Sequence, residues 1–187
     1  GKRLSVISTG IGPDNIDIVI NELDALVNID FATRQPKENL VSLNIIRIGT
    51  SGSLHADIPV DSFVMSTFGL GLDNMLRSYL IDGISNVEIE DAFVKHTNWD
   101  PKKGKPYAIS CSKKLEKLIE SDKIFKGITA TSGGFYGPQG RVLRLNIQDE
   151  NLNAKMDNFK FNENRITNLE METAAIYGLG KLLGHEC

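Results

Sequence analysis

The sequence predicts an α/β fold with a largely parallel sheet. Short apolar segments alternate with amphipathic helical segments along the chain, and this order is typical of parallel strands connected by helices. Two of the apolar segments, 4–8 and 43–48, end in glycine-rich turns. Ligands of open α/β sheets bind beyond the carboxyl ends of strands, so these turns are the first places where we expect chemistry.

The N-terminal part of the chain is predicted to contain a strand, a helix and a second strand. Residues 4–8 form an apolar run that is typical of a buried strand. A helix then begins at Pro13, because apolar residues recur there at helical spacing, at Ile16, Ile20, Leu23 and Leu26 or Val27. The polar residues 33–37 interrupt this pattern, and residues 43–48 predict the second strand.

The alternation continues to the end of the chain. Residues 82–106 have a weak, polar pattern and are predicted to be irregular, whereas 112–119 form a short amphipathic helix. A final helix carries a core-facing apolar stripe from Met171 to Leu183 and ends at Gly184. Four further strands are predicted, at 63–65, 127–131, 141–147 and 165–169.

Length and composition indicate one globular domain. The 187 residues are 41% hydrophobic and 24% charged, which suffices for a core of ordinary size. We expect a single domain over residues 1–187. The chain opens directly on a predicted strand and stops just after a helix, so we also expect further segments at both ends of the natural protein.

The charge balance and the apolar pattern exclude two classes of partner. The net charge of −3 and the isolated lysines at 102, 103 and 105, which we interpret as a solvated loop, argue against nucleic-acid binding. No run of about 18 consecutive apolar residues is present, so no membrane span is predicted. A cytoplasmic location is the default expectation, since Cys111 and Cys187 do not make a disulfide framework, although a bridge between them stays open.

No metal or organic cofactor is predicted. The three histidines, His55, His96 and His185, are far apart and do not match the spacing of zinc ligands. The first glycine-rich turn is not a dinucleotide fingerprint, because Asn15 stands where the third glycine would be required. This turn either approaches a ligand closely or is a tight strand-to-helix connection.

The second glycine-rich turn, 49–52, follows Arg47. An arginine at the end of an apolar strand is costly unless its charge meets an anion, and its planar fork suits two phosphate oxygens. Thr50, Ser51 and neighbouring backbone N–H groups could complete an oxyanion-binding nest. The alternative is an arginine that pairs with a carboxylate of the core.

The loop 132–141 combines an aromatic ring, an amide and a guanidinium. Gln139 offers both a donor and an acceptor, which can pair with the edge of an amide-like base such as uracil. Phe135 can stack on a base or sugar, and Arg141 can neutralise charge on the base. The alternative is an ordinary glycine-rich loop with solvent-facing polar residues.

Two carboxylates, Glu170 and Glu172, lie two positions apart before the final helix. If the backbone is extended there, both side chains point the same way, and a carboxylate can accept two hydrogen bonds from a sugar diol. The alternative is helix capping, because residues 167–170 fit a capping box.

Taken together, these four segments resemble the nucleoside phosphorylase superfamily and, within it, the uridine phosphorylases. The turns at 8–12 and 47–52 and the Glu-Met-Glu segment near 170–172 are similar at superfamily level. The loop with Phe135, Gln139 and Arg141 is similar to the narrower uracil-recognition loop. The resemblance implies a three-layer α/β/α sandwich around a central, largely parallel mixed sheet.

The resemblance also implies a role for each matching residue. Arg47 and Thr50 would bind phosphate, and Thr50, Met171 and Glu172 would contact ribose. The base would lie against Gly52, Phe135, Gln139 and Arg141. Arg47, Glu172 and Arg141 would be the catalytic residues.

The implied reaction is the reversible phosphorolysis of uridine to uracil and ribose 1-phosphate. Inorganic phosphate is a co-substrate and no cofactor takes part. The resemblance further implies a homo-oligomer, a dimer or a hexamer built from dimers, whose sites are completed by a neighbouring subunit. Two alternatives stay open: a purine nucleoside phosphorylase or nucleosidase of the same superfamily, and a non-catalytic nucleoside-binding chain.

Overall fold

The computed structural model describes residues 3–187, and its centre is a mixed sheet. Its strands run in the order β3-β8-β6-β4-β5, with β7 paired to β8 outside this path. A separate two-stranded ribbon contains β1 and β2. The strands are Ile29–Asp30 (β1), Gln35–Pro36 (β2), Gly52–Ser53 (β3), Phe63–Gly71 (β4), Tyr107–Ser110 (β5), Ile124–Thr131 (β6), Lys160–Phe161 (β7) and Asn164–Glu170 (β8).

The three longest strands are parallel and form the middle of the sheet. β4 pairs with β6, and β6 pairs with β8, in both cases in the parallel direction. The outer strands β3 and β5 are antiparallel to their neighbours. The predicted largely parallel mixed sheet is therefore confirmed.

Helices cover both faces of this sheet. α1 and α5 pack together, and α5 also contacts β4, β5 and β6, whereas α2 and α4 contact each other and the sheet through β5 and β8. The predicted three-layer α/β/α arrangement is therefore confirmed. The α-helices are Pro13–Asn28 (α1), Val87–Thr97 (α2), Lys113–Ile119 (α3), Leu152–Asp157 (α4) and Thr173–Leu182 (α5).

The core has two halves, one on each side of the sheet. One half contains Ile16 of α1 and Leu179 of α5, and the other contains Phe93 of α2 and Met156 of α4. Strand β5 contributes to both, since Tyr107 and Ile109 face the first half and Ala108 faces the second. This alternation follows from the two-residue period of a strand.

Several predicted elements are observed at the expected places. The helix that begins at Pro13 buries Ile16 and Ile20, and its last turn half-buries Val27 while Leu26 is exposed. α3 matches the predicted short helix, and β4, β6 and β8 contain the predicted strands. The final helix is α5, and Gly184 follows it with a φ of 78°.

The predicted strands at 4–8 and 43–48 are wrong for the described residues. Residues 4–8 have no regular secondary structure, and Leu4 and Val6 are 91% and 89% exposed. Residues 43–48 make one isolated bridge, between Asn44 and Glu186. An apolar run becomes a strand only where its backbone finds a partner, and the described backbone offers these two segments almost none.

Two further predictions need correction. Residues 82–106 are not irregular throughout, because they contain helix α2, whose start is capped by the Asn86 side chain accepting from Ile89 N. Residues 141–147 are not a strand but an irregular loop, and Leu143 and Leu145 are 80% and 75% exposed. Strand β5 and helix α4 were not predicted, since both are too short to show a clear period.

A search of the described residues finds no helix with the length and apolar character needed to span a bilayer.

Candidate active site

The three parallel strands end side by side at one edge of the sheet. Gly71 at the end of β4 is in register with Thr131 of β6, which is in register with Glu170 of β8. The carboxyl ends of adjacent parallel strands are the usual place for a ligand site in an open α/β sheet. Most of the predicted site residues lie around this edge.

The carboxylate of Glu170 caps the N-terminus of helix α5. One oxygen accepts the Thr131 hydroxyl at 2.6 Å, and the other accepts the backbone N–H groups of Glu172 and Thr173, both at 2.9 Å. Thr131 Oγ1 in turn accepts the N–H of Ala174 at 2.9 Å. The first N–H groups of a helix have no partner within the helix. Here the side chains of Glu170 and Thr131 accept hydrogen bonds from three such groups.

This arrangement corrects the capping-box alternative for residues 167–170. These residues lie inside strand β8, and the helix begins only at Thr173. The cap is the Glu170 side chain, which reaches forward from the end of the strand. Helix capping therefore explains Glu170 but does not explain Glu172.

Arg47 lies against both carboxylates. Its Nη2 is 2.5 Å from Glu172 Oε2 and 3.4 Å from Glu170 Oε2. Glu172 Oε1 accepts the backbone N–H of Gly12 at 2.7 Å. The two glutamates therefore lie on the same side, as expected. Arg47 also pairs with carboxylates, which was the alternative to phosphate binding considered for this arginine.

Glycine is required on each side of this group, at Gly49 for a close approach and at Gly12 for a positive φ. A Cβ on Gly49 would be 2.8 Å from the Arg47 guanidinium, so the arginine folds back over its own turn. Gly12 has a φ of 95°, and a Cβ there would be 3.8 Å from Met171 Cε. The predicted ribose residues Met171 and Glu172 therefore lie beside the first glycine-rich turn.

The turn after Arg47 is tied to strand β8. Asn168 Nδ2 donates to Ser51 Oγ at 2.8 Å, and Asn168 Oδ1 accepts the Thr129 hydroxyl at 2.8 Å. Thr50, predicted to contact phosphate and ribose, is exposed on this turn. Its side chain is thus accessible beside a fixed segment of backbone.

The base-loop residues form a second group. Arg141 lies over the Phe135 ring, with its guanidinium carbon 4.0 Å from the ring centroid, and it donates to Phe135 O at 2.7 Å. Arg141 also donates to Gln139 Oε1, while Gln139 Nε2 is 3.4 Å from Glu170 O. A Cβ on Gly52 would be 3.5 Å from Arg141 Nη2, so all four predicted base residues are close together.

Glu170 links the two groups. Its carboxylate contacts Arg47, and its backbone oxygen receives the Gln139 amide and the Ser132 N–H, the latter at 2.9 Å. The sequence analysis singled out Glu170 only as one of two spaced carboxylates. Its central position follows from the register of β6 and β8, which no local pattern shows.

Asp73 is a further polar residue at this edge that the sequence analysis did not identify. It follows β4, and the hydroxyl of fully buried Tyr107 donates to both of its oxygens, at 2.9 and 2.8 Å. Burial raises the pKa of the Asp73 carboxyl, and the hydrogen bonds from Met75 N and Tyr107 offset part of that shift. A carboxylate directly after a long apolar strand was the available signal.

Among the described residues, no group of three or more His, Cys, Asp or Glu side chains has the arrangement of a metal site. The histidines contact the protein framework instead. His55 lies against Ile166 O and Asp157, and His185 is buried beside Asp24.

Comparison with known proteins identifies the family. The family model of the phosphorylase superfamily matches residues 1–187. The uridine phosphorylase of Thermococcus kodakarensis is 25% identical over 193 residues, which cover 98% of this chain and 54% of that protein. A DeoD-type purine nucleoside phosphorylase of Clostridium perfringens is 27% identical and is covered over 60% of its length. The chain thus spans a little more than half of these curated relatives.

A solved structure agrees in both fold and sequence. The crystal structure of a Trypanosoma brucei nucleoside phosphorylase, described as showing uridine phosphorylase activity, superimposes with a TM-score of 0.81 and 27% identity. The match covers 97% of this chain and 67% of that one. Because the family model spans every residue, the chain belongs to the phosphorylase superfamily.

Proposed function

We propose that this chain carries the catalytic site of a uridine phosphorylase. The observation that supports the proposal most is the meeting of two groups at one sheet edge. In the first group, the guanidinium of Arg47 pairs with the carboxylate of Glu172. In the second group, which lies next to it, the amide of Gln139 pairs with the guanidinium of Arg141. The first group suits phosphate and ribose, and the second suits uracil.

Phosphate binding would rearrange the first group. Only Nη2 of Arg47 contacts the glutamates, and the side chain is 26% exposed, so its other N–H donors are available to an anion. A phosphate on this guanidinium would compete with Glu172 for it. Glu172 would then bind the ribose hydroxyls, still oriented by the N–H of Gly12.

The proposed reaction uses charge and position more than proton transfer. Attack of phosphate at the anomeric carbon has an oxocarbenium-like transition state, as in other glycosyl transfers. Arg47 would hold phosphate beside that carbon, which contributes proximity. Arg141 would stabilise the negative charge that develops on departing uracil. The reaction consumes phosphate as co-substrate and requires no cofactor from these residues.

The arrangement of Gln139 supports a pyrimidine base. Arg141 has only donors, so the Gln139 atom that faces it is the oxygen, and the amide nitrogen faces the carbonyl of Glu170. Gln139 is 2% exposed and both ends of its amide already have a protein partner, so a base would use the second lone pair of its oxygen and the second hydrogen of its nitrogen. Uracil, with an N–H between two carbonyls, matches such an edge, whereas the amino group of cytosine would face a donor.

The purine alternative keeps a specific observation in its favour, because purine nucleoside phosphorylases are also among the relatives at similar identity. A non-catalytic nucleoside-binding chain is the alternative of another class. A cytoplasmic location and a homo-oligomer accompany the proposal as predictions.

One experiment separates these functions. The purified full-length protein is incubated with uridine, cytidine, inosine or adenosine, with and without phosphate, and base release is followed by chromatography. We expect phosphate-dependent release of uracil and little release from the other three nucleosides. Faster cleavage of inosine would favour the purine function, and phosphate-independent cleavage would indicate a nucleosidase. Binding without cleavage would leave only a nucleoside-binding role.

A further inference from the structure

We infer that Glu170 is the positioning residue of this site, which holds Arg47, Glu172 and Gln139 in place without itself contacting the substrate. The expected kinetic effects rest on the proposed function. The ordering of the start of α5 and of Arg47 is inferred from the observed contacts and does not depend on that function.

Both carboxylate oxygens of Glu170 are already occupied. Its side chain is only 3% exposed, and four donors converge on it, three on one oxygen and one on the other. The side chain of Glu172 is also buried, at 8% exposure, but each of its oxygens holds a single donor, Arg47 on one and Gly12 N on the other. A substrate hydroxyl could therefore reach Glu172 by displacing one donor, whereas it could reach Glu170 only by displacing the cap of α5.

The negative charge of Glu170 matters because everything around it donates. The Thr131 hydroxyl, two backbone N–H groups and the Arg47 guanidinium all point toward it, and the start of a helix carries partial positive charge. An uncharged amide of the same size would turn an NH2 group toward at least one of these donors. The lost hydrogen bond would then change the position of Glu172 and weaken the contact that orients Arg47.

The backbone of Glu170 extends the same control to the base loop. Its carbonyl oxygen receives Ser132 N at 2.9 Å, where β6 leads into that loop, and it faces Gln139 Nε2 at 3.4 Å. One residue at the end of β8 thus touches a member of each proposed subsite. Glu170 positions the residues of each subsite and takes no part in the reaction itself.

The test compares Glu170→Gln with four other variants of the full-length protein. Glu172→Gln removes the proposed ribose contact. Glu90→Gln is the matched control, since Glu90 of helix α2 is also deeply buried and accepts from Arg77 and from Ala108 N of strand β5. Thr131→Val removes the hydroxyl that bonds Glu170, and Thr131→Ser is its control. This pair is used if Glu170→Gln does not fold.

Two kinds of readout are taken. Amide hydrogen exchange of the peptide that contains Glu172, Thr173 and Ala174 reports the order of the α5 start without any substrate. Steady-state kinetics with uridine and 2′-deoxyuridine report the KM for phosphate, kcat and the preference for the 2′-hydroxyl. Phosphate binding by calorimetry is measured alongside.

We expect Glu170→Gln and Thr131→Val to speed exchange of these amides, and Glu170→Gln to change the phosphate affinity, because Arg47 loses one of its two carboxylate partners. The ratio of kcat/KM for uridine to that for 2′-deoxyuridine should shift less in Glu170→Gln than in Glu172→Gln, because Glu170→Gln displaces the ribose contact of Glu172 without removing it. Glu172→Gln should change that ratio, and Glu90→Gln should change only stability.

Two results would overturn the inference. A shift in the 2′-hydroxyl preference in Glu170→Gln as large as in Glu172→Gln would make Glu170 a ribose contact. Unchanged exchange and unchanged phosphate affinity in Glu170→Gln would reduce it to a core residue. If the wild-type protein does not cleave uridine, the proposed function fails, while exchange and calorimetry still decide the role of Glu170.

Discussion

At the scale of single residues, the phosphate assignment depends on Arg47. The structure shows this guanidinium paired with Glu172 and Glu170, so its charge is partly balanced before any ligand binds. Such a pairing is compatible with an anion site if phosphate can compete with Glu172. The arginine is also the residue whose removal separates phosphate binding from base recognition.

We predict that Arg47→Ala raises the KM for phosphate and lowers kcat. Arg47→Lys should recover only part of the loss, because an ammonium group cannot offer the planar fork of donors. Losing a charge-assisted contact costs about 1.5–3 kcal/mol, which is roughly tenfold to over a hundredfold in kcat/KM. Kinetics at varied phosphate measure this, and normal phosphate dependence in Arg47→Ala would refute the assignment.

Asp73 makes the stability of the protein depend on pH. Because burial raises the pKa of its carboxyl, the folded protein holds this proton to higher pH than the unfolded chain does. The folded state therefore loses stability as the pH rises from the unfolded value of about 3.9 through the raised folded pKa. Below that window both states are protonated, so the loss is absent and the stability contribution is fully present.

We predict that Asp73→Asn removes this pH-dependent loss, so that the variant becomes more stable relative to wild type as the pH rises through the window. Urea unfolding at a series of pH values measures the difference. Asp57 is the control of opposite sign, because hydrogen bonding to Arg165 lowers its pKa. Asp57→Asn should lose, not gain, relative stability as the pH rises from below that lowered pKa. A flat difference for Asp73→Asn would contradict the prediction.

At the scale of elements, the site depends on how closely helix α5 packs on strand β4. A Cβ on Gly69 would be 2.6 Å from Ala174 Cα and 2.9 Å from Ala174 N. Both atoms belong to the first turn of the helix, which carries Glu172 at its start. Glycine is required here because a backbone, and not a flexible side chain, lies opposite.

We predict that Gly69→Ala destabilises the protein by about 1–3 kcal/mol through overpacking. Since the helix start must move, the variant should also lose uridine cleavage at temperatures where it is folded. Gly83→Ala is the control, because no atom lies within 4 Å of its added Cβ, and its effect should stay within about 0.5 kcal/mol. Urea unfolding and activity assays measure both, and equal stability of the two variants would refute the packing argument.

The contrast between elements also shows what local pattern can predict. Helices α1 and α5 satisfy their hydrogen bonds within one segment, so their apolar spacing was sufficient to find them. Strands need a partner from elsewhere in the chain. Residues 127–131 have such partners in β4 and β8, whereas residues 4–8 have none within the described structure, although both runs are apolar.

At the scale of the whole molecule, the charge of the site argues for a neighbouring subunit. Arg47 is the one cation against two buried carboxylates, which leaves the proposed phosphate position short of positive charge among the described residues. Apolar side chains near this edge are also open to solvent, since Ile48 is 94% exposed. A second copy of the chain could supply a cation and cover such side chains.

We predict that the active full-length protein is a dimer or a multiple of dimers. Sedimentation equilibrium gives the mass, and activity measured across a dilution series tests whether the site needs the neighbour. Activity per chain should fall as the oligomer dissociates. A monomer whose activity per chain is independent of concentration would contradict the prediction.

The sequence by itself determined the α/β class, the helices α1, α3 and α5, the central strands, and the residue types that meet at the site. These are properties of local spacing and of side-chain chemistry, which each segment carries with it. The grouping of Phe135, Gln139 and Arg141 in one loop could be predicted for the same reason, because these residues are neighbours in the chain.

Only the tertiary structure decided which runs became strands and which contacts each of the two glutamates makes. Glu170 and Glu172 are alike in sequence, but the register of β6 and β8 places one against Thr131 and leaves the other facing Arg47 and Gly12. Partners such as these are separated by 39 to 160 residues, so no local pattern contains them. Pairing and burial are relations between distant segments, and they exist only once the chain has folded.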